Sequence, residues 1–101
     1  MSMASQLRFH PDTSADLSSS TAYYDEISQQ VGGRFRDAIR DRFKAIEERP
    51  ESFACIHGQQ RAALVHGFPY VILFEKSDDF ITVLGVFHAA SDQSGWFTRS
   101  I

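Results

Sequence analysis

The stretch RAALVHGFPYVILFEKSDDFITVLGVFH, residues 61–88, decides the fold of this chain. In three runs its side chains alternate with a period of two, which is typical of β-strands. The runs are separated by GFP and KSDD, which are rich in turn-forming residues. We therefore predict three successive antiparallel strands.

The middle strand, YVILFEK, carries apolar side chains on both of its faces. Tyr70, Ile72 and Phe74 share one face, and Val71, Leu73 and Glu75 share the other. We expect helices to cover one face of the sheet and something else to cover at least part of the other.

The N-terminal region predicts one more strand and a first helix. QLRFH, residues 6–10, alternates as a half-buried strand does, and Pro11 stops it. Asp12 or Thr13 is the expected N-cap of a helix that extends to about Gln30. Its apolar stripe is formed by Leu17, Tyr24, Ile27 and Val31.

A second helix completes a helical hairpin before the three strands begin. Gly32 and Gly33 are expected to separate the two helices, and Pro50 to end the second one. Its apolar stripe is formed by Phe35, Ala38, Ile39, Phe43 and Ile46. The predicted order is β-α-α-β-β-β, an α+β fold in which the hairpin packs on one side of a small four-stranded sheet.

Length and composition indicate one small soluble domain spanning residues 1–101, with a disordered tail at residues 1–5. The formal net charge of −3 has the wrong sign for holding a phosphate backbone by bulk attraction. The single cysteine excludes an intrachain disulfide. No secretory h-region and no apolar run long enough for a bilayer are visible, so we expect a cytoplasmic protein.

Several motifs together resemble the RelE/ParE superfamily, the toxins of bacterial type II toxin–antitoxin modules. They are ADL and AYYDEI in the first helix, RAALVHGFPYVILFE, VLGVFH and SDQSGW, with Phe68-Pro69-Tyr70 before a strand the most specific. The resemblance implies a four-stranded antiparallel sheet, a helical hairpin, and an antitoxin whose C-terminal segment wraps the toxin.

The departures from the family pattern concern basic residues. Where many relatives have two adjacent arginines entering a strand, this chain has Arg61 followed by Ala62. Where they have a histidine, a glycine, two arginines and Asp-Pro, this chain has HAASDQ, residues 88–93. Trp96 matches a tryptophan that often follows, and Arg99 is the nearest basic residue after it.

An RNA-cutting site needs a proton acceptor, cations on the phosphate and a proton donor. The candidates in matching places are Arg61, His66, His88 and Arg99. His88 is the best of these because histidine is the usual proton-transfer side chain near neutral pH, but we favour a structural role in capping its loop. We interpret Tyr70, like Tyr23 and Tyr24, as an amphipathic core residue.

Two further motifs have simpler explanations. Cys55 and His57 are too few ligands for zinc, and the Cys55 thiol has no obvious activator beyond His57. Asp78 and Asp79 could hold a magnesium ion, but KSDDF suits a hairpin turn. We therefore predict neither a metal nor a cofactor.

Three functions remain open. We favour a ParE-like inhibitor that, as the resemblance implies, binds DNA gyrase and is neutralised by a cognate antitoxin. The alternatives are a RelE-like ribosome-dependent mRNA endonuclease using His88, Arg61 and Arg99, and a decayed toxin that retains only antitoxin binding. In all three an antitoxin helix or strand is the expected cover of the second sheet face. The expected partner-binding residues are Arg61, His66, Tyr70, His88 and Trp96.

Overall fold

The computed structural model describes residues 6–99, apart from the side chain of Gln6, so the predicted tail at residues 1–5 lies outside the described residues. The helices are α1 (Thr13–Ile27) and α2 (Gln29–Glu48). The strands are β1 (Gln6–Phe9), β2 (Cys55–His57), β3 (Gln60–Leu64), β4 (Tyr70–Lys76) and β5 (Phe80–His88). Short 3-10 turns follow α2 at Pro50–Ser52 and β5 at Gln93–Gly95.

The predicted α+β architecture is confirmed, but the sheet has five strands instead of four. Its order is β1-β5-β4-β3-β2, and β1 runs parallel to β5 while all the other pairs are antiparallel. The expected fully antiparallel sheet is therefore wrong. The helical hairpin acts as a crossover between β1 and the rest of the sheet, and a crossover of that length permits parallel pairing. The fifth strand, β2, has only three residues, and all three are exposed. It therefore has no alternation of buried and exposed side chains from which the sequence could predict it.

The boundary between the helices lies earlier than predicted. Ser28 is the single extended residue between α1 and α2, and its Oγ accepts a hydrogen bond from the Val31 N–H at 3.0 Å. Gly32 and Gly33 lie inside α2 instead of breaking it. A Cβ built on Gly32 would sit 1.8 Å from Asp25 Oδ1, so this glycine permits the close approach of the two helices.

The main core lies between the hairpin and the sheet. Phe35 and Ile46 of α2 are fully buried, and they belong to one cluster with Ile72 and Phe74 of β4. This confirms the predicted inner face of α2. Ile27, predicted on the inner stripe of α1, is instead 58% exposed, because α1 ends there.

Part of the second face of the sheet is covered by the chain itself. Leu73, Leu84 and Trp96 form a separate buried cluster, flanked by Val71, Phe87 and Phe97. Trp96 and Phe97 come from the segment after β5. Residues 92–99 therefore supply part of the cover that the sequence analysis assigned to an antitoxin, while Leu64 of β3, on the same face as Val71, is 62% exposed.

Candidate functional site

His88 lies at the exposed end of β5, opposite Tyr70 of β4. Its Nδ1 accepts a hydrogen bond from the Ala90 N–H at 3.1 Å, and its carbonyl oxygen accepts one from Ser91 Oγ at 2.6 Å. The first bond makes Nε2 the protonated nitrogen of the neutral ring. His88 thus holds the start of the loop, which is the structural role favoured from the sequence, and presents Nε2 as a donor.

The loop beyond His88 is organised by its own polar side chains. Asp92 Oδ1 accepts hydrogen bonds from the Ser94 N–H at 3.0 Å and from Ser94 Oγ at 2.9 Å. These two bonds lower the pKa of Asp92 below its ordinary value. Ser91 Oγ in turn accepts a hydrogen bond from Trp96 Nε1 at 2.8 Å.

Trp96 is a core residue in this structure. It is 3% exposed and stacks on Phe87 with ring centroids 5.2 Å apart. The neighbouring Phe97 stacks on His57 of β2 at 4.2 Å. A partner therefore cannot reach most of the Trp96 ring unless residues 92–99 move.

Arg99 attaches the end of the segment formed by residues 92–99 to α1. Its two terminal nitrogens face the carboxylate of Asp16, with Nη2 donating to Oδ1 at 3.0 Å, and Nη1 also donates to the Leu84 carbonyl oxygen at 3.2 Å. The hydrogen bonds to Asp16 raise the pKa of Arg99 above its ordinary value. The guanidinium also lies over the Phe87 ring at 4.6 Å. This cation is engaged within the fold.

The fold does not bring Arg61 to His88. Arg61 pairs with Phe74 and His88 with Tyr70, which separates them along β4 by four residues, roughly 14 Å at strand spacing. Arg61 Nη1 donates to the Phe53 carbonyl oxygen at 2.5 Å. His66 lies in the turn before β4, in a groove beside α2 with Arg34 and Asp41. The basic candidates are thus dispersed over the molecule.

An open cavity of about 450 Å³ lies between α1 and the end of β5. Its lining includes Ser19 and Tyr23 of α1, Tyr70, His88 and Ser91. The Tyr70 and His88 rings meet edge to face at 5.2 Å. Burial, and next the neighbouring Tyr23, raise the pKa of Tyr70 above its ordinary value, so its hydroxyl stays protonated at neutral pH.

Tyr23 is the residue that sequence reasoning missed. It was interpreted as part of the core, yet it is 58% exposed, whereas the adjacent Tyr24 is 9% exposed. Neighbouring helical residues point about 100° apart. The position of Tyr24 on the inner stripe was therefore the signal that Tyr23 faces outward.

Metal chemistry finds no support in the part of the chain that the structure describes. Within residues 6–99 no three metal-binding side chains of histidine, cysteine, aspartate or glutamate come together. Cys55 is exposed on the edge strand β2.

Among the described helices, none combines the length and the apolar character that crossing a membrane requires.

The fold is similar to that of a solved chain from the chromosomal ParDE toxin–antitoxin system of P. aeruginosa. The TM-score is 0.74 at 16% sequence identity, and the alignment covers 86% of this chain and 98% of that chain. No protein-family model matches the sequence, and no curated protein matches it. The likeness shows a RelE/ParE-like fold, which confirms the fold that the sequence motifs predicted.

Proposed function

We propose that this chain is the toxin of a type II toxin–antitoxin module, a ParE-like inhibitor that acts in the cytoplasm by binding protein. Its target is DNA gyrase, and a cognate antitoxin neutralises it. The observation that carries the proposal is the fold likeness to a ParDE chain, which extends over 98% of that chain.

The arrangement of the basic residues favours binding over catalysis. A nuclease of this size would need cations beside its proton-transfer group to hold the scissile phosphate. Arg99 is instead paired with Asp16, and Arg61 is bonded to the Phe53 carbonyl oxygen at a distant place on the sheet. Of the four candidate catalytic residues, His88 alone lines the cavity between α1 and the end of β5.

The test is pulse labelling of DNA and protein synthesis after the chain is induced in a bacterium that lacks the antitoxin. We expect DNA synthesis to stop first while translation continues. Purified protein should also inhibit supercoiling by purified gyrase, and adding the antitoxin should restore it. Continued growth under strong expression of folded protein would contradict toxicity and leave the decayed-toxin alternative.

A RelE-like endonuclease is the second candidate, because His88 Nε2 is free to act at an open cavity. In that case translation would stop first, and His88→Ala would abolish the arrest. Arg61→Ala serves as the companion variant, because the catalytic assignment needs a cation. Arrest that survives both substitutions would eliminate this candidate.

A further inference from the structure

Two of the four histidines lie at the ends of the parallel strands β1 and β5 and bind the chain in the same way. His10 follows β1, and its Nδ1 accepts a hydrogen bond from the Asp12 N–H at 3.1 Å. His88 ends β5, and its Nδ1 accepts a hydrogen bond from the Ala90 N–H, also at 3.1 Å. Each imidazole therefore closes a tight turn two residues further on. A ring nitrogen can accept such a bond only while it carries no proton.

The charges beside the two rings differ. Asp12 Oδ2 lies 3.9 Å from His10 Nδ1, so a proton on that nitrogen would meet a carboxylate. Among residues 6–99, no carboxylate forms an ion pair with His88. Protonation is thus compensated at His10 and uncompensated at His88.

The titratable groups that face His88 do not supply the missing negative charge. Those that line the cavity with it are Asp16 and Tyr23 of α1 and Tyr70 of β4. Tyrosine hydroxyls are uncharged near neutral pH. The Asp16 carboxylate already binds Arg99. Asp92, the one charged residue of the loop at residues 89–95, accepts its hydrogen bonds from Ser94.

The turn after β5 has one hydrogen bond that a proton can remove. The Ala89 N–H donates to the Pro69 carbonyl oxygen at 2.8 Å, and the Ser91 N–H donates to the His88 carbonyl oxygen at 2.9 Å. Those acceptors are backbone oxygens, which do not titrate. The Ala90 N–H alone in this turn depends on an imidazole.

We propose that His88 is a pH-sensitive latch, which holds the turn at residues 89–91 when neutral and releases the Ala90 N–H when protonated. His10 keeps its turn, because a protonated Nδ1 can donate to the Asp12 carboxylate instead. Ser91 Oγ accepts a hydrogen bond from Trp96 Nε1 at 2.8 Å, so acid loosens the start of the segment that covers part of the second sheet face. The inference does not depend on the proposed function, because neither state of the latch requires a target.

The first test follows the unchanged full chain by NMR between pH 5 and 8, the range in which histidine side chains ordinarily change charge. The ring protons of His88 report its protonation, and the protection factor of the Ala90 N–H against solvent exchange reports the bond. We expect this factor to fall about fivefold with the same midpoint as the His88 titration, and that of the Asp12 N–H to change by less than about twofold. A constant factor at Ala90, a different midpoint, or an equal fall at Asp12 would overturn the proposal.

The second test removes the titrating group and keeps an acceptor. His88→Asn supplies a carboxamide oxygen, which accepts the N–H two residues on in Asx turns and does not titrate. We expect the Ala90 protection factor of this variant to be the same at pH 5 and pH 8. His10→Asn is the matched control at the other strand end and should retain the fall at Ala90.

Two outcomes of the second test would refute the assignment to His88. They are a fall at Ala90 that persists in His88→Asn, and a fall that disappears in His10→Asn. Circular dichroism at both pH values checks that each variant is folded. The first test, on the unchanged chain, decides the case if either variant is not.

Discussion

Asp16 joins α1 to β5 and to the segment that follows β5. Its carboxylate binds the Arg99 guanidinium and accepts a hydrogen bond from the Val86 N–H at 3.0 Å. β1 pairs with β5 only as far as Val83, so the Val86 N–H lies on an edge that β1 does not cover. Asp16 thus satisfies a backbone donor of the sheet and anchors the chain's C-terminal segment.

Replacing Asp16 tests this role. Asp16→Asn keeps an oxygen but loses the charge that holds Arg99, and both side chains are mostly buried. We expect a loss of about 1–3 kcal/mol in the free energy of unfolding, measured by urea denaturation. Asp37→Asn is the matched control, because its bridge to Arg40 is exposed. Equal losses in the two variants would contradict the anchoring role of Asp16.

Gly85 allows Arg99 and Phe87 to approach the sheet. A Cβ at this position would lie 2.4 Å from Arg99 Nη1 and 2.6 Å from Phe87 Cζ. Both neighbours are held, Arg99 by Asp16 and Phe87 by the stacked Trp96. We expect Gly85→Ala to reduce the free energy of unfolding by about 1–3 kcal/mol. Gly33→Ala, where the added methyl meets nothing within 4 Å, should instead stabilise α2.

Asp92 makes the loop after β5 sensitive to acid. Because its folded pKa is lowered by hydrogen bonds from Ser94, the stabilisation it supplies is present above about pH 4. That stabilisation is lost as the pH falls through the lower folded pKa. Fluorescence of Trp96, the one tryptophan in the sequence, should report the change during acid titration. Asp92→Ala should remove this component, and an unchanged titration curve would refute its assignment to Asp92.

At the scale of elements, the helical hairpin depends on one residue, Ser28. Its side chain caps α2, and its extended backbone turns the chain between two helices with no other linker residue. From the sequence, Gly32 and Gly33 predicted that the break between the two helices would lie later in the chain than Ser28. A glycine lowers helix propensity by only about 1 kcal/mol, which the packing of Phe35 and Ile39 on the sheet overrides.

Removing the Ser28 side chain that caps α2 should lower the stability of the fold. We expect Ser28→Ala to lower the free energy of unfolding by about 1 kcal/mol, because the Val31 N–H loses its acceptor. Thermal denaturation followed by circular dichroism measures the change. Ser18→Ala, an exposed serine within α1, should produce no loss. If both variants melt alike, Ser28 does not act as the cap.

At the scale of the whole molecule, the sheet has two cores built by different parts of the chain. The hairpin covers one face, and residues 92–99 cover part of the other through Trp96 and Phe97. This second cover contains only a short 3-10 turn at Gln93–Gly95. Its attachment therefore depends on the side chains of Trp96, Phe97 and Arg99.

Trp96 should supply much of that attachment. Trp96→Ala leaves a large void above Leu73 and Leu84, and we expect a loss of about 3–5 kcal/mol in the free energy of unfolding. Urea denaturation followed by far-ultraviolet circular dichroism measures it without tryptophan fluorescence. Leu64→Ala is the control, because Leu64 is 62% exposed and should change stability by less than about 0.5 kcal/mol. Similar losses would show that residues 92–99 do not form part of the core.

The amino-acid sequence by itself determined the helices, the three long strands and the α+β class. These elements carry their information locally, since the period of apolar residues reflects which side chains can face a common core. The same local signals placed His88 at a strand end and identified the RelE/ParE-like fold.

Only the tertiary structure decided how distant segments meet. The parallel pairing of β1, the cover supplied by Trp96 and the Asp16–Arg99 pair all join residues far apart in the chain. The cavity between α1 and the end of β5 likewise draws its rings from three elements, with Tyr23 from α1, Tyr70 from β4, and Phe87 and His88 from β5. Such contacts leave no periodic pattern, because they depend on the packing of whole elements and not on the spacing of neighbouring residues.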